Sequence, residues 1–137
     1  MPEHLYDEAV ALWHESGLTR PWNDPVEDLQ RAMRGPASTV LAALDDGQLI
    51  GTAMVGHDGH RGWVYYVAVT LSAQRQGIGS ALMKACEEWV ASRGVPKLQL
   101  MVRTTNAEVA QFYARLGYAD ADVLVLSKLL EGGDRAP

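Results

Sequence analysis

Apolar and polar positions change period along the chain, and the changes mark the elements. Over residues 3–16, Leu5, Ala9, Leu12 and Trp13 share one face at helical spacing, and Gly17 can close that helix. Pro21 and Pro25 break helical order across residues 19–25, because each restricts itself and its predecessor. A second helix restarts with Asp24 as N-cap, Pro25 in the first position and Glu27 three residues after the cap. Val26, Leu29 and Met33 form its predicted apolar stripe, and Gly35-Pro36 ends it.

The next section reads as strands. Residues 39–44 and 49–55 are β-prone runs joined by Asp45-Asp46-Gly47-Gln48, a hairpin signal. A polar, glycine-rich loop over 56–62 leads to a strand over 63–69. Beyond a glycine-containing turn, Ile78, Leu82, Ala85 and Trp89 predict one face of a helix that ends near Arg93-Gly94. A strand follows over 97–102. Thr105 and Glu108 form a capping box for a short helix carrying Val109, Phe112 and Leu116, which Gly117 stops. Residues 123–126 read as a last strand, and the tail from Glu131 as frayed. The order is α-α-β-β-β-α-β-α-β. The β-α-β crossovers require some parallel pairing, so an α/β fold with a mixed sheet covered by helices is expected.

Composition narrows the class. With 137 residues, 47% hydrophobic and 21% charged, the chain fits one globular domain, expected to span 1–137. A net charge of -5 argues against nucleic-acid partners and suits a cationic substrate such as an amine. The single cysteine, Cys86, permits no internal disulfide and reads as buried packing. The four histidines lack ligand spacing, and no metal is expected. Met1-Pro2-Glu3-His4 does not open a signal peptide, and no run of about 18 apolar residues occurs. A cytoplasmic protein with no membrane partner is the expectation.

The segment with the clearest chemistry is Gln74-Arg75-Gln76-Gly77-Ile78-Gly79, between a strand and an amphipathic helix. A first helical turn has unpaired backbone N–H groups and the positive end of the dipole, which together attract anions. Gly77 and Gly79 remove side chains where a phosphate must approach, and Arg75 adds a cation at the rim. By itself Gly-x-Gly before a helix also suits a merely structural turn. It is neither a Walker loop nor Gly-x-Gly-x-x-Gly, since position 82 is Leu82.

Gln74-x-x-Gly77-x-Gly79 resembles the Gln/Arg-x-x-Gly-x-Gly/Ala pattern of the GNAT superfamily of N-acetyltransferases. Downstream, Asn106 and Phe112-Tyr113-Ala114-Arg115-Leu116-Gly117-Tyr118 resemble that family's second block. The resemblance covers roughly residues 3–130. Trp22-Asn23-Asp24-Pro25, Asp58-Gly59-His60-Arg61-Gly62 and Tyr65-Tyr66 look like its small YpeA-type branch. It implies a mostly antiparallel sheet with helices on both faces and acetyl-CoA as acetyl donor. The backbone of Val67 and Val69 is implied to pair with the pantetheine arm and acetyl carbonyl. The amides of Arg75, Gln76, Gly77, Ile78, Gly79 and Ser80, behind Gln74, are implied to cradle the pyrophosphate. Asn106 is implied near the pantetheine and Tyr113 near the sulfur. The chain departs from the pattern at its start, where a first edge strand is missing. The edge so exposed can pair with a tail or another molecule, and a homodimer is one such assembly.

Acyl transfer from a thioester needs a route for the amine proton and an acid near the sulfur. Tyr113 suits the acid, since a phenol can donate to a leaving thiolate; it also suits a core position beside Val109, Phe112 and Leu116. No Asp or Glu lies between Trp63 and Thr70, where many relatives of this family place a catalytic glutamate. The base candidates are His57, Asp58 and His60, or a water held by Tyr65 or Tyr66; each loop residue also reads as a turn-former or a solvated side chain. Strand alternation sends the two tyrosines to opposite faces, so at most one reaches the acceptor. Trp22, Asn23 and Arg61 complete the candidate acceptor wall, although Trp22 equally reads as a hydrophobic anchor. The expected activity is N-acetylation of a primary amine on a small molecule, an amino acid or a protein N-terminus. A non-catalytic CoA-binding sensor is the alternative, and a nucleotide-phosphate binder a third.

Overall fold

The structure is a computed structural model that describes residues 1–130. The chain divides into two compact units, Met1–Met101 and a second that begins at Val102. The first holds α1 (Tyr6–Glu15), α2 (Pro25–Arg34), β1 (Ser38–Asp45), β2 (Gln48–His57), β3 (Gly62–Val69), α3 (Ile78–Ala91) and β4 (Leu98–Leu100). A single 3₁₀ turn over Glu3–Leu5 precedes α1. The sheet order is β1-β2-β3-β4, antiparallel through β3, with β4 parallel to β3.

One face of this sheet carries α1 and α2. Leu5, Ala9, Leu12 and Trp13 bury their side chains against Leu29, Ala32, Val40, Leu49 and Ala68. Trp13 donates its indole N–H to Thr52 Oγ1 at 2.8 Å, and Thr52 donates onward to the Tyr66 carbonyl at 3.0 Å. A buried hydrogen bond of this kind stabilises by about 1 kcal/mol, and losing one partner costs more. Val26 is 46% exposed, so it is not part of the α2 stripe. The later part of α2 is also tied to β1 by hydrogen bonds: Ser38 Oγ donates to the Ala32 carbonyl at 2.9 Å, and the Val40 N–H meets Met33 Sδ at 3.3 Å.

The other face carries α3. Its buried residues are Leu82, Met83, Cys86 and Val90; of the expected line Leu82 is buried and Ile78, Ala85 and Trp89 are half-buried, so the seam is rotated. Gly62 supplies the reason: a Cβ there would lie 2.7 Å from Val90 Cγ2, so Val90 occupies the seat that glycine leaves. Trp89 is displaced to the margin, with the Arg93 guanidinium 3.6 Å over its ring. Asp46 (φ 50) and Gly47 (φ 82) turn the β1–β2 hairpin in the left-handed region, as a two-residue hairpin loop requires.

The second unit contains α4 (Ala107–Arg115). Its N-cap is Asn106, whose side chain accepts from the Val109 N–H at 3.3 Å, one residue later than the expected Thr105. Tyr113 is buried, with Phe112 and Tyr118 edge-on at 5.0 and 5.9 Å. The expected strand over 123–126 is not formed among the described residues; Leu124 and Leu126 are each 89% exposed. An apolar run makes a strand only when a ladder partner accepts its backbone, and none does so among the described residues. β4 is likewise shorter than the expected 97–102.

Candidate functional site

β3 delivers the chain to the turn. After Val69 come Thr70, a 3₁₀ turn over Leu71–Ala73, and Gln74 in extended conformation. Gln74 Nε2 donates to the Val69 carbonyl at 3.2 Å and Gln76 Nε2 to the Ser72 carbonyl at 3.4 Å, so both amides brace the loop from within. Arg75 (φ 64) and Gly77 (φ 80) are both left-handed. Such conformations gather successive N–H groups into a concavity that attracts anions. α3 then starts with no side-chain cap and no acidic residue in its first turn. Its first backbone bond runs from the Ala81 N–H to the Gly77 carbonyl, so the amides of Ile78, Gly79 and Ser80 lack intrahelical acceptors. The space above Gly77 is open, with nothing within 4 Å of where a Cβ would stand. Free amides beside open space suit an anion such as a phosphate. Beside it, Thr70 Oγ1 is buried and has no hydrogen-bond partner among the described residues.

The strand feeding the turn is open along one edge. β4 pairs with β3 only at Gly62, Trp63 and Val64. Past that point Val67 and Val69 have no ladder partner on that side among the described residues. The β2–β3 register also shifts: Thr52 faces Ala68 whereas Met54 faces Tyr65, leaving an extra residue in β3. Tyr66 sits at this bulge with φ 53, a conformation that costs a residue bearing Cβ roughly 1–2 kcal/mol.

The bulge overturns the expected alternation. Tyr65 and Tyr66 both line one cleft of about 480 Å³ on the α1/α2 face of the sheet. Asn23, His57 and Asp58 line it too, while Trp22, His60 and Arg61 do not. Trp63, Asp28 and Arg31 also line it, and none of the three stood out in the sequence. Asp28 in particular reads only as a helix-start acid, since its partner is far away in the chain. Tyr66 stacks on Trp13 with ring centroids 4.0 Å apart and planes at 16°, and its hydroxyl donates to Asp28 Oδ2 at 2.8 Å. Burial, and next the bond to Asp28, push the Tyr66 phenol well above the ordinary tyrosine range; burial alone raises Tyr65.

The loop between β2 and β3 is held by its own side chains. Asp58 Oδ1 accepts from the His60 and Arg61 N–H groups at 2.8 Å each, which holds its carboxyl below the usual carboxylate range. His57 Nδ1 accepts from the Gly59 N–H at 3.1 Å. These contacts make Asp58 a turn-former. Cys86 is buried in α3, and burial, reinforced by Glu87, pushes its thiol up to about 12. Among the described residues no three His, Cys, Asp or Glu side chains gather to hold a metal, and no helix is long and apolar enough to cross a membrane.

An open strand edge runs into an uncapped, glycine-bearing helix start whose first amides have no intrahelical acceptors. The sequence model of the acetyltransferase (GNAT) family matches residues 4–118, and the chain belongs to that family. Solved structures share the fold. A putative acetyl transferase from Pyrococcus furiosus is 26% identical, with TM-score 0.70, over 93% of this chain and 95% of that one. The aminoglycoside acetyltransferase AAC(6')-Iy, in complex with the bisubstrate analog CoA-S-monomethyl-acetylneamine, is 16% identical with TM-score 0.78, over 94% of each chain. An aminoglycoside acetyltransferase from an uncultured soil metagenomic sample, in complex with sisomicin, is 19% identical with TM-score 0.76, over 92% and 88%.

Proposed function

We propose that the chain acts as one acetyl-CoA-dependent N-acetyltransferase domain that moves an acetyl group to a primary amine by direct attack. The observation that carries this reading is the start of α3, where free amides, left-handed Arg75 and Gly77 and the absence of any acid suit a pyrophosphate. When bound, acetyl-CoA supplies the thioester. The amides of residues 75–80 hold its pyrophosphate, and the open edge at Val67 and Val69 offers backbone groups to the pantetheine and the acetyl carbonyl. Asn106, the N-cap of α4, is assigned to the pantetheine and Tyr113 to the sulfur, both on the family block that carries them.

The chemistry that remains is proton traffic. Tyr113 donates a proton to the departing thiolate, and the amine must arrive neutral at the carbonyl carbon. The cleft beside Tyr65 and Tyr66 is the acceptor site on this reading. Fold neighbours solved with sisomicin and with a CoA–aminoglycoside analog support a small-molecule amine as the acceptor.

Release of free thiol from acetyl-CoA across a panel of primary amines tests the activity. Transfer to at least one amine is expected; tight CoA binding with no transfer would instead favour a sensor. For the acid, Tyr113→Phe is expected to lower turnover about 100-fold while acetyl-CoA affinity stays within twofold. Turnover equal to wild type would remove Tyr113 from the mechanism.

A further inference from the structure

The proton route for the amine has no carboxylate on β3, yet the cleft contains one from another element. Asp28, in the first turn of α2, reaches across to β3 and accepts the Tyr66 hydroxyl at 2.8 Å. Three features fix that tyrosine in place. Its ring is clamped flat on buried Trp13, its carbonyl is held by Thr52, and its backbone lies at the bulge with φ 53. Without the bulge, alternation would turn one of the two adjacent tyrosines away from the cleft. A strained backbone that is held on three sides and aims a hydroxyl at a carboxylate is unusual as mere packing.

We propose that Tyr66 and Asp28 form the relay that takes the proton from the acceptor amine, with Tyr66 touching the amine and Asp28 acting through it. The inference rests on the acetyltransferase reading above. The Tyr66 hydroxyl donates to Asp28 and its oxygen also meets the Asn23 side chain, which leaves one lone pair for an incoming N–H donor. The ammonium gives one proton to the Tyr66 oxygen as the Tyr66 proton passes to Asp28 Oδ2, and the open cleft returns it to water. The lone pair so freed forms the C–N bond. The C–S bond breaks with its electron pair on sulfur, which takes the Tyr113 proton; the second N–H proton leaves nitrogen to water in the open cleft, and Tyr113 recovers its proton from water. The Tyr66 phenol stays protonated well into alkaline solution, so it enters each cycle as a donor to Asp28.

Charged and titratable neighbours surround the pair from every packed element. Arg31 on α2 donates to Asp28 Oδ1 at 3.1 Å but is itself largely exposed, and Asp24 precedes the helix. Tyr65 on β3, and His57 and Asp58 at the end of β2, share the cleft. Arg31 orients the Asp28 carboxylate through Oδ1 and leaves Oδ2 to Tyr66.

A double-mutant cycle tests the relay on the full chain. Asp28→Asn and Tyr66→Phe are near-isosteric, and unchanged acetyl-CoA affinity by calorimetry certifies that each variant is folded. Each single variant is expected to lose about 100-fold in kcat, with KM for acetyl-CoA within twofold of wild type. The double variant should lose no more than either single one, because the two groups act in one chain of proton transfers. Losses that multiply in the double variant, or single variants within threefold of wild type, would overturn the relay and leave the acetyltransferase reading standing. Wild-type protein that binds acetyl-CoA yet acetylates no amine would overturn both.

Discussion

The starts of α2 and α3 solve one physical problem in opposite ways. Each helix begins with backbone N–H groups that have no intrahelical acceptor. In α2 the chain satisfies its own: Asp24 accepts from Val26 and Glu27 at 3.0 and 3.2 Å, Pro25 removes a donor, and Glu27 and Asp28 place negative charge in the first turn. In α3 none of this is done. Gly77 offers no side chain, no acid follows, and Arg75 adds a positive charge. One helix start is finished by its own residues, and the other leaves its first amides open, which on the proposed function an anion completes. Capping is worth about 1 kcal/mol, so an uncapped end in a small protein is a cost that ligand binding can offset.

Exchanging features between the two ends gives the largest expected effect. Ser80 occupies in α3 the position that Glu27 occupies in α2, the third after the cap. Ser80→Glu should stabilise the free protein by a few tenths of a kcal/mol through the helix dipole. It should also weaken acetyl-CoA binding by on the order of 100-fold or more, equivalent to about 2.7 kcal/mol, read by calorimetry. Undiminished affinity would break the comparison at its root. The reciprocal change, Asp24→Ala, should cost about 1 kcal/mol in urea unfolding and leave acetyl-CoA affinity unchanged.

Arg75→Gly separates charge from backbone shape. The left-handed φ is natural to glycine, so relief of strain should roughly offset the added freedom of the unfolded chain, leaving stability within about 0.5 kcal/mol. Affinity for acetyl-CoA should fall about fivefold and lose part of its salt dependence. The smallest effect lies at α2, where Asp28 holds the Tyr66 hydroxyl. Because the folded-state phenol titrates above its ordinary value of 10.0, its contribution is complete below that pH and fades as pH rises beyond it. Wild-type stability should therefore decline above about pH 10 more steeply than that of Tyr66→Phe, monitored by chemical denaturation.

The two helix starts were also legible to different depths. Asp24-Pro25 announces a capped helix locally, because every partner it needs lies within three residues. Asp46-Gly47 announces its hairpin for the same reason. The turn at Gly77 was visible as a glycine pattern, and its meaning came from the second block around Tyr113. Asp28 was not legible, since the hydroxyl that gives it a role belongs to a residue 38 positions away. The bulge at Tyr66 was hidden too: alternation assumes an uninterrupted ladder, and a shifted register leaves no mark on composition. Residues 123–126 mislead in the opposite direction, because apolar residues suggest a strand without supplying its partner. The rotated seam of α3 follows from Gly62, whose missing side chain is legible but whose contact with Val90 is not.

The central claim is that the amides opening α3, unlike those opening α2, receive the cofactor's pyrophosphate. Backbone amide resonances followed during titration with acetyl-CoA test it directly. The largest shifts are expected at residues 75–80, with Val26 and Glu27, already bonded to Asp24, nearly unmoved. Saturable binding that leaves residues 75–80 unshifted, or that perturbs the two helix starts equally, would contradict the account.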